Sequence, residues 1–537
     1  MADYLLSIMT FFPLLGILVL LFLPRDNGGL LKGFTLVVSL ITFAISLPLA
    51  FDPVFLTSGE MHYREFYEWI NIGNYFQMNY NLGVDGISLW LVMLTTFITP
   101  IAILSTWNAV DKNIKGFMAM LLLLETGMLG AFISLDLFLF YIFWELMLIP
   151  MYFLIGIWGG KNRIYAAVKF FIYTAVGSLL MLVAIIFVFY YAVHSGAEMN
   201  GFGIQEFYKL DLPHNAQFWL FLAFGFSFAI KVPMFPLHTW LPDAHTEAPT
   251  AGSVILAAVL LKMGTYGYVR FAMPLFPDVL PTFIPFLAFL AVVGIIYGSL
   301  VAMMQEDIKK LVAYSSVAHL GFVMLGIFAL NMQGFAGGMI QMVNHGISTG
   351  ALFLIVGFIY ERRHTRLITE FGGIATKMPI FATFFMIITF SSIGLPGTNG
   401  FVGEFLALMG AFQSSLRWYA VFATTGVILA AVYMLWVYQR VMFGKVTNPK
   451  NENLKDLSLR EIIIMLPLLL FVFWIGVCPN TFLAKMNPAM EKMLVQMGAT
   501  PVAVVEMQQP PAAHNGEHSA VENHDAENAS EHSEHSD

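Results

Sequence analysis

The sequence predicts an all-α integral membrane protein of about fourteen helices. Three observations predict it: an apolar composition, recurring apolar runs of membrane-crossing length, and basic residues gathered on one side of those runs. Of the 537 residues, 58% are hydrophobic and 11% charged, with a mean hydropathy of +0.75, whereas an ordinary soluble domain is about a quarter charged. Runs of about 20 apolar residues, enough for a helix to cross a ~30 Å hydrocarbon core, recur from Tyr4 to about Phe482.

The expected spans lie near 4–23, 30–51, 84–106, 116–135, 136–157, 168–193, 216–236, 249–274, 282–304, 310–330, 336–359, 379–412, 416–441 and 461–482. The first has no Lys or Arg before it and no small-residue cleavage site after it, so it reads as a retained helix and not a signal peptide. Basic residues between the spans alternate in density. Clusters at 25–32, 112–115, 161–169, 309–310, 362–377 and 440–460 place 18 of the 26 Lys and Arg on one side. The other side has Arg64, Lys209, Arg270, Arg417, Lys485 and Lys492, and only Lys231 and Lys262 fall inside apolar spans. Cytoplasmic loops carry the basic excess, so an even number of spans puts both termini outside the cytoplasm.

Two spans carry helix breakers. Pro233 and Pro236 interrupt the seventh, and Gly394, Pro396, Gly397 and Gly400 interrupt the twelfth. The twelfth, at about 34 residues, would be ~50 Å long if continuous, too long for a simple crossing. Both spans must bend or break. Taking spans 4–8 and 9–13 as two five-helix units puts each break in the fourth helix of its unit, the pattern of an inverted-repeat transporter. The expected organisation is therefore helices 1–3 (1–115), a first repeat (116–275), a second inverted repeat (276–442), helix 14 with its flank (443–505) and a tail (506–537). The tail turns to Pro, His, Glu, Asn and Ser and ends SEHSEHSD; it buries too little apolar surface to order itself, though its histidines have weak metal-binding capacity.

Charged groups deep in a membrane cost ~2.5–3.5 kcal/mol each on insertion scales, and are as a rule paired or functional. The spans contain Glu125, Glu145, Lys231, Lys262, His319, His345 and Glu404. A buried Glu and Lys exchange protonation near neutral pH when each offsets the other's desolvation. Lysine suits a carrier at the midplane and histidine a relay. A helix break beside Lys231 or Glu404 frees backbone groups that hold water along a proton path. Each group also has a packing reading. Glu145 and Lys231 form a static ion pair in that view, His319 and His345 are core histidines or axial ligands of a haem b, Glu125 has no evident partner, and Asp243, His245 and Glu247 cap helix ends. Lys309 and Lys310 read as interface charges of a turn.

Other chemistries find no support. The single cysteine, Cys478, cannot ligate an iron–sulfur cluster, which takes about four thiolates. Neither a dinucleotide nor a phosphate-loop glycine motif occurs, and no nucleic-acid partner is expected.

The stretches NLGVDGISLWLVMLTTFITP (81–100), DLFLFYIFWELMLIPMYFLIGIWG (136–159), KVPMFPLHTWLPDAHTEAPTAGSVILAAVLLKMGTYGYVRF (231–271), EDIKKLVAYSSVAHLGFV (306–323) and NHGISTGALFLIVGFIYERRHTR (344–366) resemble the M-subunit family of bacterial respiratory complex I (NADH:quinone oxidoreductase), relatives of mitochondrial subunit 4. The likeness covers about residues 1–490; the tail departs from the usual pattern. It implies a fourteen-helix antiporter-like fold with two inverted five-helix repeats and broken helices 7 and 12. It implies that Glu145 and Lys231 form the charged pair of a first half-channel, Lys262 the connecting lysine, His319 and His345 a central relay, and Glu404 the end of a second half-channel. His238, in the broken seventh helix, is an additional relay candidate. The resemblance further implies no redox cofactor in this chain, with NADH, FMN, iron–sulfur clusters and quinone in partner subunits. It implies neighbouring antiporter-like subunits and a multi-pass place in the cell inner membrane. The alternative is a subunit of a multisubunit sodium/proton antiporter, which shares the Glu/Lys core but not the 231–271 block or VDGIS. A passive scaffold, whose charges only lock assembly, is the competing reading from another class.

Overall fold

The computed structural model describes residues 4–72, 76–195 and 201–499; the tail after 506 lies outside them. Among the described residues 12 helices are long and apolar enough to cross a bilayer, from Leu5–Phe22 to Leu459–Val477, and each coincides with an expected span. The seventh and twelfth expected spans are not single helices. The seventh is His214–Lys231 followed, after a break, by Trp240–Glu247, and the twelfth is Pro379–Ser392 and Asn399–Gln413. Proline lacks the amide for the helical ladder, and Gly394 and Gly397 take φ of +73° and +89°, which favour glycine. The fifth span is also interrupted, at Met147, into Leu137–Leu146 and Leu148–Trp158, because Pro150 offers no amide to the Leu146 carbonyl.

Burial ranks the helices. Thr250–Leu275 and Met332–Arg363 are buried along their whole apolar windows, while Leu5–Phe22 is buried over only 33%. The inner helices approach almost to backbone contact. A Cβ on Gly337 would lie 2.2 Å from the Ala407 amide nitrogen, and one on Gly410 would lie 2.1 Å from that of Gly334. These glycines press Asn399–Gln413 against Met332–Arg363, which sets Glu404 beside Gln341. Gly410→Val is expected to destabilise the chain by about 1–3 kcal/mol through overpacking, read as a lower thermal midpoint of the purified protein.

The connections sort to two ends of the bundle. At one end residues 108–111, 158–160, 247–250, 360–366 and 453–461 surround a cavity of about 750 Å³. At the other, residues 59–61, 204–209 and 489–496 surround one of about 300 Å³.

Three features depart from the sequence expectation. An antiparallel hairpin, His62–Asn71 with Gln77–Val84, follows the second span. Its Glu65 carboxylate accepts from the amides of Leu6 and Ser7 and so caps the first helix. At its base Tyr63 donates to Asp52 at 2.5 Å and, with the Val54 amide, holds that carboxyl below its ordinary value. This contribution to stability is present at neutral pH and is lost as pH falls through the lowered value. Secondly, the last span stops at Val477, and a separate helix, Asn480–Gln496, follows Pro479. Thirdly, Lys231 and Lys262 are not the only buried cations: Lys32, Arg270, Lys309 and Lys485 are at most 9% exposed. Three of these are amines that cap helix ends. Lys32 donates to the carbonyls of Trp107 and Val110, Lys309 to Ala248 and Lys485 to Asp52, where carbonyls left without helical donors attract a cation. Arg270, counted among the charges of the non-cytoplasmic side, donates to Asp85 at 2.6 Å, both groups being almost fully buried.

Candidate functional site

The first break begins at Lys231, the last residue of its helix. Trp240 donates from its indole nitrogen to the Ile230 carbonyl at 2.9 Å, satisfying a group the break frees. The Lys231 ammonium is buried with no hydrogen-bond partner. It lies 5.0 Å from the Trp144 ring centroid and 6.0 Å from that of Phe170, and the negative faces of aromatic rings attract a cation. Glu145, next to Trp144 and one turn before Pro150, faces Tyr141 and Ser178. Glu145 and Lys231 act on each other electrostatically across a gap and not through a direct ion pair.

Glu125 is wholly buried, and neither carboxyl oxygen has a partner. His238 sits inside the break with its ring 5.7 Å from Phe235 and 5.2 Å from Tyr297, and its Nδ1 is unpartnered.

The helix carrying Lys262 is unusual in its backbone. π-helical turns occupy Leu256–Leu260 and Tyr268–Ala272. Such i→i+5 turns leave a carbonyl outside the ordinary ladder and recur at functional sites. The Lys262 ammonium donates to one of these, the Ala257 carbonyl, and lies 2.7 Å from His345 Nδ1. Gly264 allows this helix to touch the start of the first break, since a Cβ there would lie 2.7 Å from the Val232 amide nitrogen.

From Lys262 the polar groups run onward with one gap, at His345 Nε2, which has no hydrogen-bond partner among the described residues. The His345 and His319 ring centroids are 5.9 Å apart. His319 Nδ1 lies 2.7 Å from Glu404 Oε1, and Gln341 donates to the same oxygen at 3.1 Å. On its other nitrogen His319 meets the hydroxyls of Ser392 at 3.3 Å and Tyr433 at 3.5 Å. Asn344 ties Gln341 to the second break by donating to the Asn399 carbonyl at 2.7 Å, and Ser391 donates to the Asn399 side chain at 2.6 Å. A cavity of about 10 Å³ between His319, His345, Ser348 and Ser392 has room for about one water and none for a porphyrin.

The structure therefore brings together Lys262, His345, His319 and Glu404 of the sequence-derived set. It places Glu145 and Lys231 as neighbours, and sets His238 and Glu125 apart from any hydrogen-bonded chain among the described residues. Gln341, Asn344, Asn399, Ser391, Ser392 and Tyr433 were missed. Part of their signal was present: Gln341, Asn344, His345, Ser348 and Thr349 recur at helical spacing within one apolar span, a polar stripe on one face.

Comparison with known proteins bears on this arrangement. Residues 134–430 match the model described as NADH:quinone oxidoreductase/Mrp antiporter, TM, and residues 30–131 that of NADH-ubiquinone oxidoreductase chain 4, amino terminus. The NADH-quinone oxidoreductase subunit M of Rhodobacter capsulatus is 48% identical over 504 residues, covering 91% of this chain and 96% of its own. The chain belongs to the M-subunit family. Chain 4 of Marchantia polymorpha NADH-ubiquinone oxidoreductase is 44% identical over 92% of this chain and 97% of its own. A chain of respiratory complex I from Thermus thermophilus superposes with a TM-score of 0.82 at 31% identity, covering 92% of this chain and 100% of that one. A chain of the Mrp complex from Dietzia sp. DQ12-45-1b superposes at 0.78 with 19% identity, over 91% of this chain and 98% of that one, a likeness of fold. The antiporter-type match contains Glu145, Lys231, Lys262, His319, His345 and Glu404, while Glu125 falls in the amino-terminal match.

Proposed function

We propose that this M-subunit family member is a proton-translocating membrane subunit of NADH:quinone oxidoreductase, passing protons through its buried Glu, Lys and His side chains. The observation that carries the reading is the line of buried titratable groups from Lys262 through His345 and His319 to Glu404. A proton on the Lys262 ammonium passes to His345 Nδ1, and His345 releases one from Nε2 toward the one-water cavity. His319 takes a proton at Nε2 and gives one from Nδ1 to the Glu404 carboxylate, so each imidazole ends with the same number of protons. Glu145 and Lys231 load the line from the first break, their charges stabilising or repelling one another as either changes protonation. His238 serves the same break, and Glu125 is an accessory acid.

In this reading spans 4–8 and 9–13 form two inverted units, each with its broken helix, and both termini lie on the non-cytoplasmic side of a bacterial inner membrane. NADH, FMN, iron–sulfur clusters and quinone belong to partner subunits, and the chain meets other antiporter-like subunits within the bilayer. The 48% identity to a subunit M, against 19% to the Mrp chain, favours this assembly over a sodium/proton antiporter. Purifying the tagged chain in mild detergent is expected to bring an NADH-oxidising, quinone-reducing assembly with it. Recovery of the chain with only cation/proton antiporter subunits would overturn the assignment.

A further inference from the structure

His245 lies in Trp240–Glu247, the short helix beyond the first break, and is 0% exposed. Neither of its ring nitrogens has a hydrogen-bond partner among the described residues. Its ring stacks on Phe353 with centroids 4.5 Å apart and planes at 14°. An imidazole buried with both nitrogens unmet carries a desolvation cost that a methionine or phenylalanine filling the same space would not.

The position explains what the ring is suited to do. His345, Thr349, Phe353 and Gly357 are spaced four apart in one continuous helix, so they share a face and follow one another at about 6 Å. Gly357 lines the 750 Å³ cavity at the end of the bundle, together with Val356, Glu247, Lys309, Arg362 and Arg366. Thr349 and His345 line the small cavity of the relay. His245, on Phe353, stands between the two. The charged groups that act on it are Lys309 at the large cavity and Lys262 in the relay, and His245 in turn acts on His345.

We infer that His245 is a proton-carrying station between the large cavity at the Lys309 end of the bundle and Lys262, giving the relay an intake separate from Glu145 and Lys231. Water entering past Glu247 and Gly357 gives a proton to one ring nitrogen. The ring gives a proton from its other nitrogen to water reaching the neutral Lys262 amine, which becomes an ammonium. His245 is left neutral in its alternate tautomer and resets by turning over. The inference rests on the relay reading above.

The test uses the whole complex, with His245→Gln, His245→Asn and His245→Met beside Lys262→Ala. Assembly is read from NADH-dependent reduction of an artificial electron acceptor, and pumping from protons moved per NADH in proteoliposomes. All three His245 variants are expected to assemble and to lose coupled turnover by about a hundredfold, the lower end of what a positioned proton-transfer group supplies. Added imidazole, but not an apolar ring of the same size, is expected to restore pumping in a His245→Gly variant, whose cavity admits the ring, and a packing role would not allow that difference. Normal pumping in assembled His245 variants with loss in Lys262→Ala would overturn this inference alone. Normal pumping in Lys262→Ala would overturn the relay reading itself. Failure of all three His245 variants to assemble, or pumping lost but not restored by imidazole, would make the ring a packing element.

Discussion

Glu145→Gln and Lys231→Ala are each expected to abolish most proton pumping by the assembled complex and to lower its coupled turnover, with assembly retained. Glutamine keeps the volume of Glu145 and its capacity to hydrogen-bond Tyr141 and Ser178, so packing is preserved, but it cannot carry a proton. Alanine at 231 removes an ammonium that makes no hydrogen bond and rests only on Trp144 and Phe170. Its loss costs ~0.5–2 kcal/mol of cation–π attraction and removes a desolvated charge from the interior. Neither change therefore threatens folding, and both strike the charge exchange that the gap between the two groups permits. Proton-to-electron stoichiometry in proteoliposomes is the measurement. An unchanged ratio in either variant would place the first half of the molecule outside the proton path and leave its charges as assembly determinants.

The second large effect concerns stability. Asp85→Ala is expected to prevent accumulation of the folded chain. Asp85 Oδ1 accepts from the Arg270 guanidinium at 2.6 Å and also from the amides of Ile87 and Ser88, capping Gly86–Ser105. Removing it leaves a fully buried guanidinium without its counter-ion, a loss of about 3–5 kcal/mol, and removes the cap for about 0.5–2 kcal/mol more. Such a sum is a large fraction of a protein's net stability. Replacing both residues, as Asp85→Asn with Arg270→Met, is expected to recover much of the loss, because the uncompensated charge disappears and Asn retains the cap. Chain abundance in membranes and the thermal midpoint decide the matter; a double variant no more stable than Asp85→Ala would show that the ion pair is not what the single change destroys.

The spans were legible because apolar runs and their polar punctuation are one-dimensional signals, and all twelve membrane-length helices among the described residues lie where those signals put them. The interruptions at 231–240 and 393–398 were legible for the same reason, since proline and glycine act locally. The titratable residues stood out as expensive exceptions in lipid. Their partners did not. That His319 meets Glu404, 85 positions away, depends on Ile308–Phe328 closing on Asn399–Gln413, where a Cβ on Gly326 would lie 2.8 Å from that of Ala407, a tertiary fact with no local trace. Arg270, at the end of an apolar run, counted only as a charge of the non-cytoplasmic side; its neighbour Asp85, 185 positions earlier, makes it an interior group. The hairpin, lying between the expected spans 30–51 and 84–106, was missed because two short paired strands leave no apolar run of membrane-crossing length. The polar stripe of Gln341, Asn344 and Ser348 was visible, but single amides and hydroxyls are ordinary in transmembrane helices and carry no evident expense.

Met332–Arg363 runs for 32 residues without a proline or a break, some 48 Å at the usual rise. Both interrupted helices lean on it, the first through His245 on Phe353 and the second through Asn399 on Asn344. Mechanically it is an axle. Backbone-tight contacts leave it no room to flex, so any rearrangement that follows a change of charge must be taken up by the split segments turning against it. Two hinges mounted on one stiff shaft feel each other's load, and an event at either end is transmitted to the other as torque and not dissipated by bending between them.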